Sequence, residues 1–156
     1  MRIGQGIDVH AFGDAASYFV LGGVAVPYDR ALAGYSDGDV LLHAIIDALL
    51  GAAALGDIGA MFPSGDERWR GANSRHLLEM AYERVRGSGL RVVNVDTTVV
   101  AEAPKLAAYV PKMREVIAAA LDIDITNVNV KATTTDGLGF AGRGDGIAAL
   151  AVVLLE

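Results

Sequence analysis

The sequence has no cysteine. That excludes disulfides and thiolate chemistry, and leaves histidine and carboxylates as the side chains able to hold a transition metal. There are only three histidines, so the placing of each matters. No basic segment followed by an apolar run opens the chain, so no secretory leader is expected. No unbroken apolar run reaches the roughly 20 residues of a bilayer span. The longest candidate, VLLHAIIDALLGAAALG at 40–56, carries His43 and Asp47 at its centre, and an aspartate at mid-bilayer costs roughly 2.5–3.5 kcal/mol. The cations are scattered and the formal net charge is −6. A membrane and nucleic acid are therefore not expected partners, and the expected compartment is the cytoplasm, or a plastid stroma if a transit peptide has been removed.

What is abundant is apolar surface. Hydrophobic residues make up 53% of the 156 positions, and mean hydropathy is +0.37. The length suits one domain, residues 1–156. The hydropathy is high for a monomer and predicts surface buried against further copies of the chain.

Local patterns predict a strand over 2–9 and a hairpin over 18–27 turning at Gly22-Gly23. A helix runs from Ser36 or Asp37, the expected N-cap, to about Ala54. Residues 55–66 are punctuated by glycine and proline and read as a loop. An amphipathic helix covers 73–86, with His76 on its solvent side. A strand covers 92–103, a helix about 107–121, a strand 128–135 and a last strand 146–155. This order gives an α+β fold: a two-layer sandwich of a mixed four-stranded sheet plus a hairpin, with helices on one face. The other sheet face needs a cover, which neighbouring subunits would supply.

Within GIDVH, Asp8 and His10 are two apart on a strand and point to one side. On the first helix, at about 100° per residue, Asp39, His43 and Asp47 form a single polar stripe among Val, Leu, Ile and Ala. An unpaired buried polar group is costly, so the stripe needs partners. Asp8, His10 and His43 together make a two-histidine, one-carboxylate set, the ligand pattern of a catalytic zinc site with an open position. Asp47 is placed to orient the His43 imidazole. The competing reading is a pair of hydrogen-bonded core histidines.

KATTTD at 131–136 ends a strand with three hydroxyls and a carboxylate, and GLGFAGRGDG at 137–146 adds five glycines and Arg143. Backbone N–H groups, hydroxyls and a guanidinium make an anion cradle. The G-x-G-x-x-G spacing at 137–142 does not signal a dinucleotide fold, because a strand comes next and no βαβ unit has room.

Taken together, RIGQGIDVH, SDGDVLLHAIIDALLGAAALGDIG, FPSGD, AEAPK and NVNVKATTTDGLGFAGRGDGIA resemble the 2-C-methyl-D-erythritol 2,4-cyclodiphosphate synthase family over nearly the whole chain. The resemblance implies cyclisation of 4-diphosphocytidyl-2-C-methyl-D-erythritol 2-phosphate with release of CMP, a lyase step of the non-mevalonate isoprenoid route. By that resemblance Asp8, His10 and His43 bind zinc, and Asp136 binds magnesium or manganese with the substrate diphosphate. Tyr35 and Thr134 act at the reacting phosphates, flanked by Ser36. Asp57, Ile58 and Gly59, with Phe62, Pro63, Ser64, Gly65 and Asp66, hold the methylerythritol. Ala101, Ala103, Pro104, Lys105 and Leu106 surround the cytidine with Thr133, and Ala107 and Thr135 also bind substrate. The family is a homotrimer packed through its sheets, with sites between subunits. Its central channel, near Phe140 and Arg143, is a candidate place for an isoprenoid diphosphate.

Three positions depart from the family pattern. Tyr35 replaces a histidine and carries no positive charge near neutral pH, which predicts a slower chemical step. Asp136 stands where glutamate is usual and Gly137 where lysine is common. Ile7 and Leu150 replace aromatic and acidic residues near the channel. Two other readings fit parts of the pattern: a nucleotide-binding descendant without turnover, and a zinc hydrolase of unrelated substrate built on the Asp–His–His set alone.

Overall fold

The computed structural model describes residues 1–156. In chain order the elements are β1 (Arg2–Ala15), β2 (Tyr18–Leu21), β3 (Val24–Pro27), β4 (Arg30–Leu32), α1 (Val40–Ala53), α2 (Ile58–Met61), α3 (Ser74–Gly87), β5 (Val92–Val100), α4 (Val110–Ala120), β6 (Val128–Thr133), α5 (Gly139–Gly142) and β7 (Gly146–Leu155), with single 3-10 turns at Glu67–Trp69 and Ile125–Asn127.

The main sheet runs β4-β1-β7-β5-β6, and β2-β3 form a separate hairpin. Only β5 and β6 are parallel. The sheet thus has five strands rather than the expected four. The additional strand, β4, is three residues long and has no alternation to betray it. It pairs with the far end of β1, which runs on to Ala15 instead of stopping near Val9.

Helix α1 is buried on nearly all sides, with only Asp47 and Gly51 escaping burial. It lies between the β1–β7 part of the sheet and α3, as an all-apolar helix must. Its approach to β1 is set by two glycines. A Cβ on Gly4 would stand 1.9 Å from the Ala48 carbonyl oxygen, and one on Gly6 would stand 2.1 Å from that of Ala44. Backbone therefore meets backbone, and α1 settles directly over Asp8 and His10. The α3 helix buries the stripe Leu77, Leu78, Ala81, Tyr82 and Val85, as its amphipathic pattern predicts.

Helix α1 begins at Val40, with Asp39 as its N-cap in place of Ser36 or Asp37. Gly38, at φ 77°, breaks the chain just before the helix. The Asp39 carboxylate accepts from Leu42 N at 3.1 Å and from the Gly22 and Gly23 amides at 2.8 and 2.6 Å. It thereby holds the β2–β3 turn, in which both glycines have positive φ. Burial pushes the Asp39 carboxyl pKa up against these donors, and the nearby Asp37 charge adds to the rise.

The far face of the β1–β7 part of the sheet is bare and largely apolar. Ile3, Ile7, Val9, Leu150 and Val152 all project from it, Ile3 at 74% and Ile7 at 54% exposure. No helix in the structure is long and apolar enough to cross a membrane.

Candidate metal centre and substrate cavity

Asp8 and His10 leave the helix-facing side of β1, and His43 descends from α1 above them. His10 Nε2 and His43 Nδ1 each lie 2.9 Å from the same oxygen, Asp8 Oδ2. One ligand atom from each residue falls within 4.8 Å of the other two. Burial opposes the charge on Asp8, but hydrogen bonds and attraction from His10 and His43 outweigh it and hold its pKa well below the usual carboxylate value. The set fits a small divalent cation. Two imidazoles and one ionised carboxylate converge from fixed elements, with His10 Nε2 and His43 Nδ1 both turned to Asp8 Oδ2.

These three residues form the floor of a cavity of about 200 Å³, walled by Tyr35, Ser36, Ile58, Gly59, Phe62, Ser64, Trp69 and Leu77. Six of the residues expected on the sugar and phosphate side are thus brought together: Tyr35, Ser36, Ile58, Gly59, Phe62 and Ser64. Asp57, Pro63, Gly65 and Asp66 do not line it. Asp57 caps α2 through Ala60 N at 2.8 Å. Asp66 is bound by Arg68, whose hydrogen bonds lower its pKa.

Asp47 does not orient His43. Its Oδ1 accepts from Ile58 N at 2.7 Å and so holds the 57–59 loop against the cavity. Burial raises its pKa in spite of that bond. The partners of His43 Nε2 are instead Ser74 Oγ at 2.9 Å and Ser36 Oγ at 3.0 Å. His76 lies on the exposed side of α3, 3.7 Å from Glu79, as expected.

Sequence patterns did not single out Trp69 or Leu77, and gave Asp37 and Ser74 no role beyond that of possible helix caps. Trp69 lies between the expected loop and the expected helix, and it packs edge-on against Phe62 with ring centres 5.0 Å apart. Its Nε1 and the Tyr35 hydroxyl are both buried with no hydrogen-bond partner. Such donors usually have a partner when buried, and both belong to side chains of the cavity wall.

The second group of expected residues lies elsewhere. Ala101 comes just after β5, and its N–H donates to Thr133 O at 3.0 Å, at the end of β6. The Ala103–Pro104 peptide is cis, and Leu106 is buried. Lys105 and Ala107 flank Leu106. Thr134 Oγ1 lies 3.2 Å from Asp136 Oδ1, and Asp136 has a left-handed backbone at φ 52°. None of these lines the metal cavity. Thr135 and Phe140 line a separate apolar hollow with Val100, Leu138 and Ala148, and Arg143 is paired with Asp145 at 2.9 Å. The glycine-rich segment forms the four-residue α5, a short helical turn that leads into strand β7, again without a βαβ unit.

The fold and site define an α+β protein with a two-histidine, one-carboxylate metal centre where a helix crosses the sheet. The model of the YgbB family matches residues 1–156, and the chain belongs to that family. It is 58% identical to the 2-C-methyl-D-erythritol 2,4-cyclodiphosphate synthase of Saccharophagus degradans, over all of both chains. Among solved structures it is similar to the bifunctional IspDF of Campylobacter jejuni, with TM-score 0.94 and 46% identity, covering 99% of this chain and 42% of that one. It is also similar to the CDP complex of Plasmodium falciparum IspF, with TM-score 0.86 and 33% identity, covering 99% and 94%.

Proposed function

We propose that this chain converts 4-diphosphocytidyl-2-C-methyl-D-erythritol 2-phosphate to 2-C-methyl-D-erythritol 2,4-cyclodiphosphate, releasing CMP. The observation that carries the reading is the convergence of Asp8, His10 and His43 beneath a polar cavity, in a chain similar over its full length to synthases of that name. An oxygen of the 2-phosphate forms a bond to the β-phosphorus, and the bond from that phosphorus to the α-phosphate oxygen breaks to free CMP. The nucleophile is already an anion, so no strong base is needed and positioning carries the rate.

Asp8, His10 and His43 would hold zinc, and Asp136 a magnesium or manganese ion with the diphosphate. Bound metal supplies neutralisation of phosphate charge and polarisation of the reacting phosphorus. The protein's own side chains do the rest. The Tyr35 hydroxyl and Trp69 indole donate to phosphate or sugar oxygens, and Ser36 and Ser64 add hydroxyls. Phe62, Ile58 and Leu77 exclude water on one side. Thr134 donates to the diphosphate, while Ala101, Ala103, Pro104, Lys105, Leu106 and Thr133 surround the cytidine, and Ala107 and Thr135 also bind substrate.

A volume of about 200 Å³ holds a methylerythritol phosphate and not the nucleotide as well. The nucleotide-side residues stand apart from that cavity in one chain. Both facts favour a site completed by a neighbouring subunit, in a homotrimer that covers the apolar sheet face of Ile3, Ile7, Val9 and Val152. Phe140 and Arg143 would then border the central channel, where an isoprenoid diphosphate is the candidate ligand. The cytoplasm, or a plastid stroma, is the compartment that goes with this reaction.

The test is incubation with the cytidylyl substrate, zinc and magnesium in oxygen-18 water. Release of CMP with no label in the cyclic product is expected. Label in the product would indicate a hydrolase, and binding without release of CMP would overturn the enzyme reading.

A further inference from the structure

Beyond the ligands, a chain of hydrogen bonds runs from His43 away from the cavity. Ser74, the first residue of α3, is wholly buried. Its Oγ makes a very short hydrogen bond to Asp37 Oδ1, and its backbone N–H donates to Asp37 Oδ2 at 2.9 Å. His43 Nε2 lies 2.9 Å from the same Oγ, and Ser36 Oγ lies 3.0 Å from that nitrogen.

The direction of each bond is set by what each group offers. An ionised carboxylate only accepts, and a serine hydroxyl has one hydrogen to give. Ser74 therefore gives its proton to Asp37 and meets His43 with a lone pair. Facing that lone pair at 2.9 Å, Nε2 is better placed to carry a proton than to be bare, since a bare Nε2 would accept only from Ser36 and would oppose Ser74. The other nitrogen, Nδ1, faces Asp8 Oδ2 at 2.9 Å, and without metal a proton there makes the hydrogen bond to the carboxylate. A divalent cation bound by both atoms would take the place of that proton, while Nε2 keeps its own.

We infer that Asp37 and Ser74 are positioning residues that keep the His43 proton on Nε2, so that Nδ1 is the nitrogen left to the metal. This rests on the zinc reading of the Asp8–His10–His43 set. It assigns a role to SDGD and NSR, two segments on different elements: Asp37 lies before α1 and Ser74 opens α3. The packing of α3 against α1 is what joins them.

The test uses the full-length chain, labelled with nitrogen-15 in its histidine rings and loaded with zinc. The expected NMR pattern for His43 is a protonated Nε2 and a zinc-bound Nδ1. Zinc affinity is read by competition with a chromophoric chelator. Ser74→Ala keeps the residue-74 amide that binds Asp37 but removes the hydroxyl link, and should weaken zinc by about 10–100-fold. Asp37→Asn, which keeps an acceptor but loses the charge, should fall between Ser74→Ala and the unsubstituted chain. Unfolding of the metal-free variants supplies the control, and the loss of affinity should exceed any loss of metal-free stability. If Ser74→Ala does not fold, the tautomer pattern and Asp37→Asn decide the matter. Zinc on Nε2 of His43, or unchanged affinity in the variants, overturns the inference. An unsubstituted chain that holds no zinc overturns the metal centre itself, which is a separate result.

Discussion

Gly6 lies directly beneath Ala44, so close that a Cβ on Gly6 would stand 2.1 Å from the Ala44 carbonyl oxygen. The next inward residue of β1 is Asp8, and the residue before Ala44 is His43. The distance between the two backbones is therefore also what sets the distance between two metal ligands.

Gly6→Ala should push α1 off β1. Overpacking of this kind costs about 2–3 kcal/mol, to be read as a shift in the urea midpoint. Zinc affinity should fall as well, because His43 rises away from Asp8. A variant of unchanged stability would mean that the helix can shift freely over the strand.

Zinc should stabilise the fold by mass action. At a free concentration 100 times the dissociation constant the gain is about 2.7 kcal/mol. Differential scanning fluorimetry should show the melting temperature falling with a chelator and recovering with added zinc. His43→Ala should abolish the response and the release of CMP together. A zinc response that survives in His43→Ala would place the ion elsewhere.

Tyr35→His should raise turnover. Tyr35 lines the cavity, and its hydroxyl is buried and unpartnered, so it has one hydrogen bond to give, whereas an imidazolium would add charge. An increase in kcat of about tenfold or more is expected, with KM little changed, given the 10²–10³ that single donors contribute at such sites. Equal kcat in the two proteins would remove position 35 from the chemistry.

Ile7→Asp places a charge in the centre of the exposed sheet face. Sedimentation should give a threefold mass for the unsubstituted chain and a smaller one for the variant. The variant should still bind one zinc per chain, because all three ligands come from one chain, but should no longer release CMP. A monomeric variant with full activity would show that a single chain holds the complete site.

The Asp96–Lys131 pair supplies a pH signature. Lys131 Nζ lies 2.5 Å from Asp96 Oδ2, and Asn129 donates to Oδ1 at 3.0 Å. The Lys131 hydrogen bond lowers the Asp96 pKa against slight burial, with Asn129 adding to the effect. A lowered carboxylate pKa gives stability that is complete above the ordinary value of about 3.9 and is lost as pH falls through the lowered one. Both groups are largely exposed, so the contribution is below about 1 kcal/mol. Asp96→Asn should therefore be slightly less stable than the unsubstituted chain at pH 7 and equal to it at the acid end, as measured by urea unfolding. A gap that persists at low pH would point to packing rather than charge.

Periodicity made much of the architecture legible before any coordinates. The hairpin at Gly22-Gly23, the amphipathic α3 and the terminal strand β7 arise from alternation, helical spacing and turn residues, which act over a few neighbours. The Asp8–His10 pair was legible for the same reason, since a strand turns alternate side chains to one side. His43 stood out because a polar residue inside an otherwise apolar helix demands a partner. The short strand β4 was not legible, because three residues carry no period and its pairing depends wholly on the distant end of β1.

The contacts made by the polar groups belong to the tertiary structure. Asp39, His43 and Asp47 form one stripe in the sequence, yet Asp39 caps α1 and grips the β2–β3 turn, His43 joins the metal set, and Asp47 holds the loop at Ile58. Ser74 and Trp69 became cavity or network residues only because α3 and the 3-10 turn before it pack against α1 and Phe62. The sequence by itself determined which groups must find partners, since burying an unpaired polar atom is costly wherever it lies. Which partner each one found was decided by the packing of elements far apart in the chain, above all by the bare glycine backbone that lets α1 rest on β1.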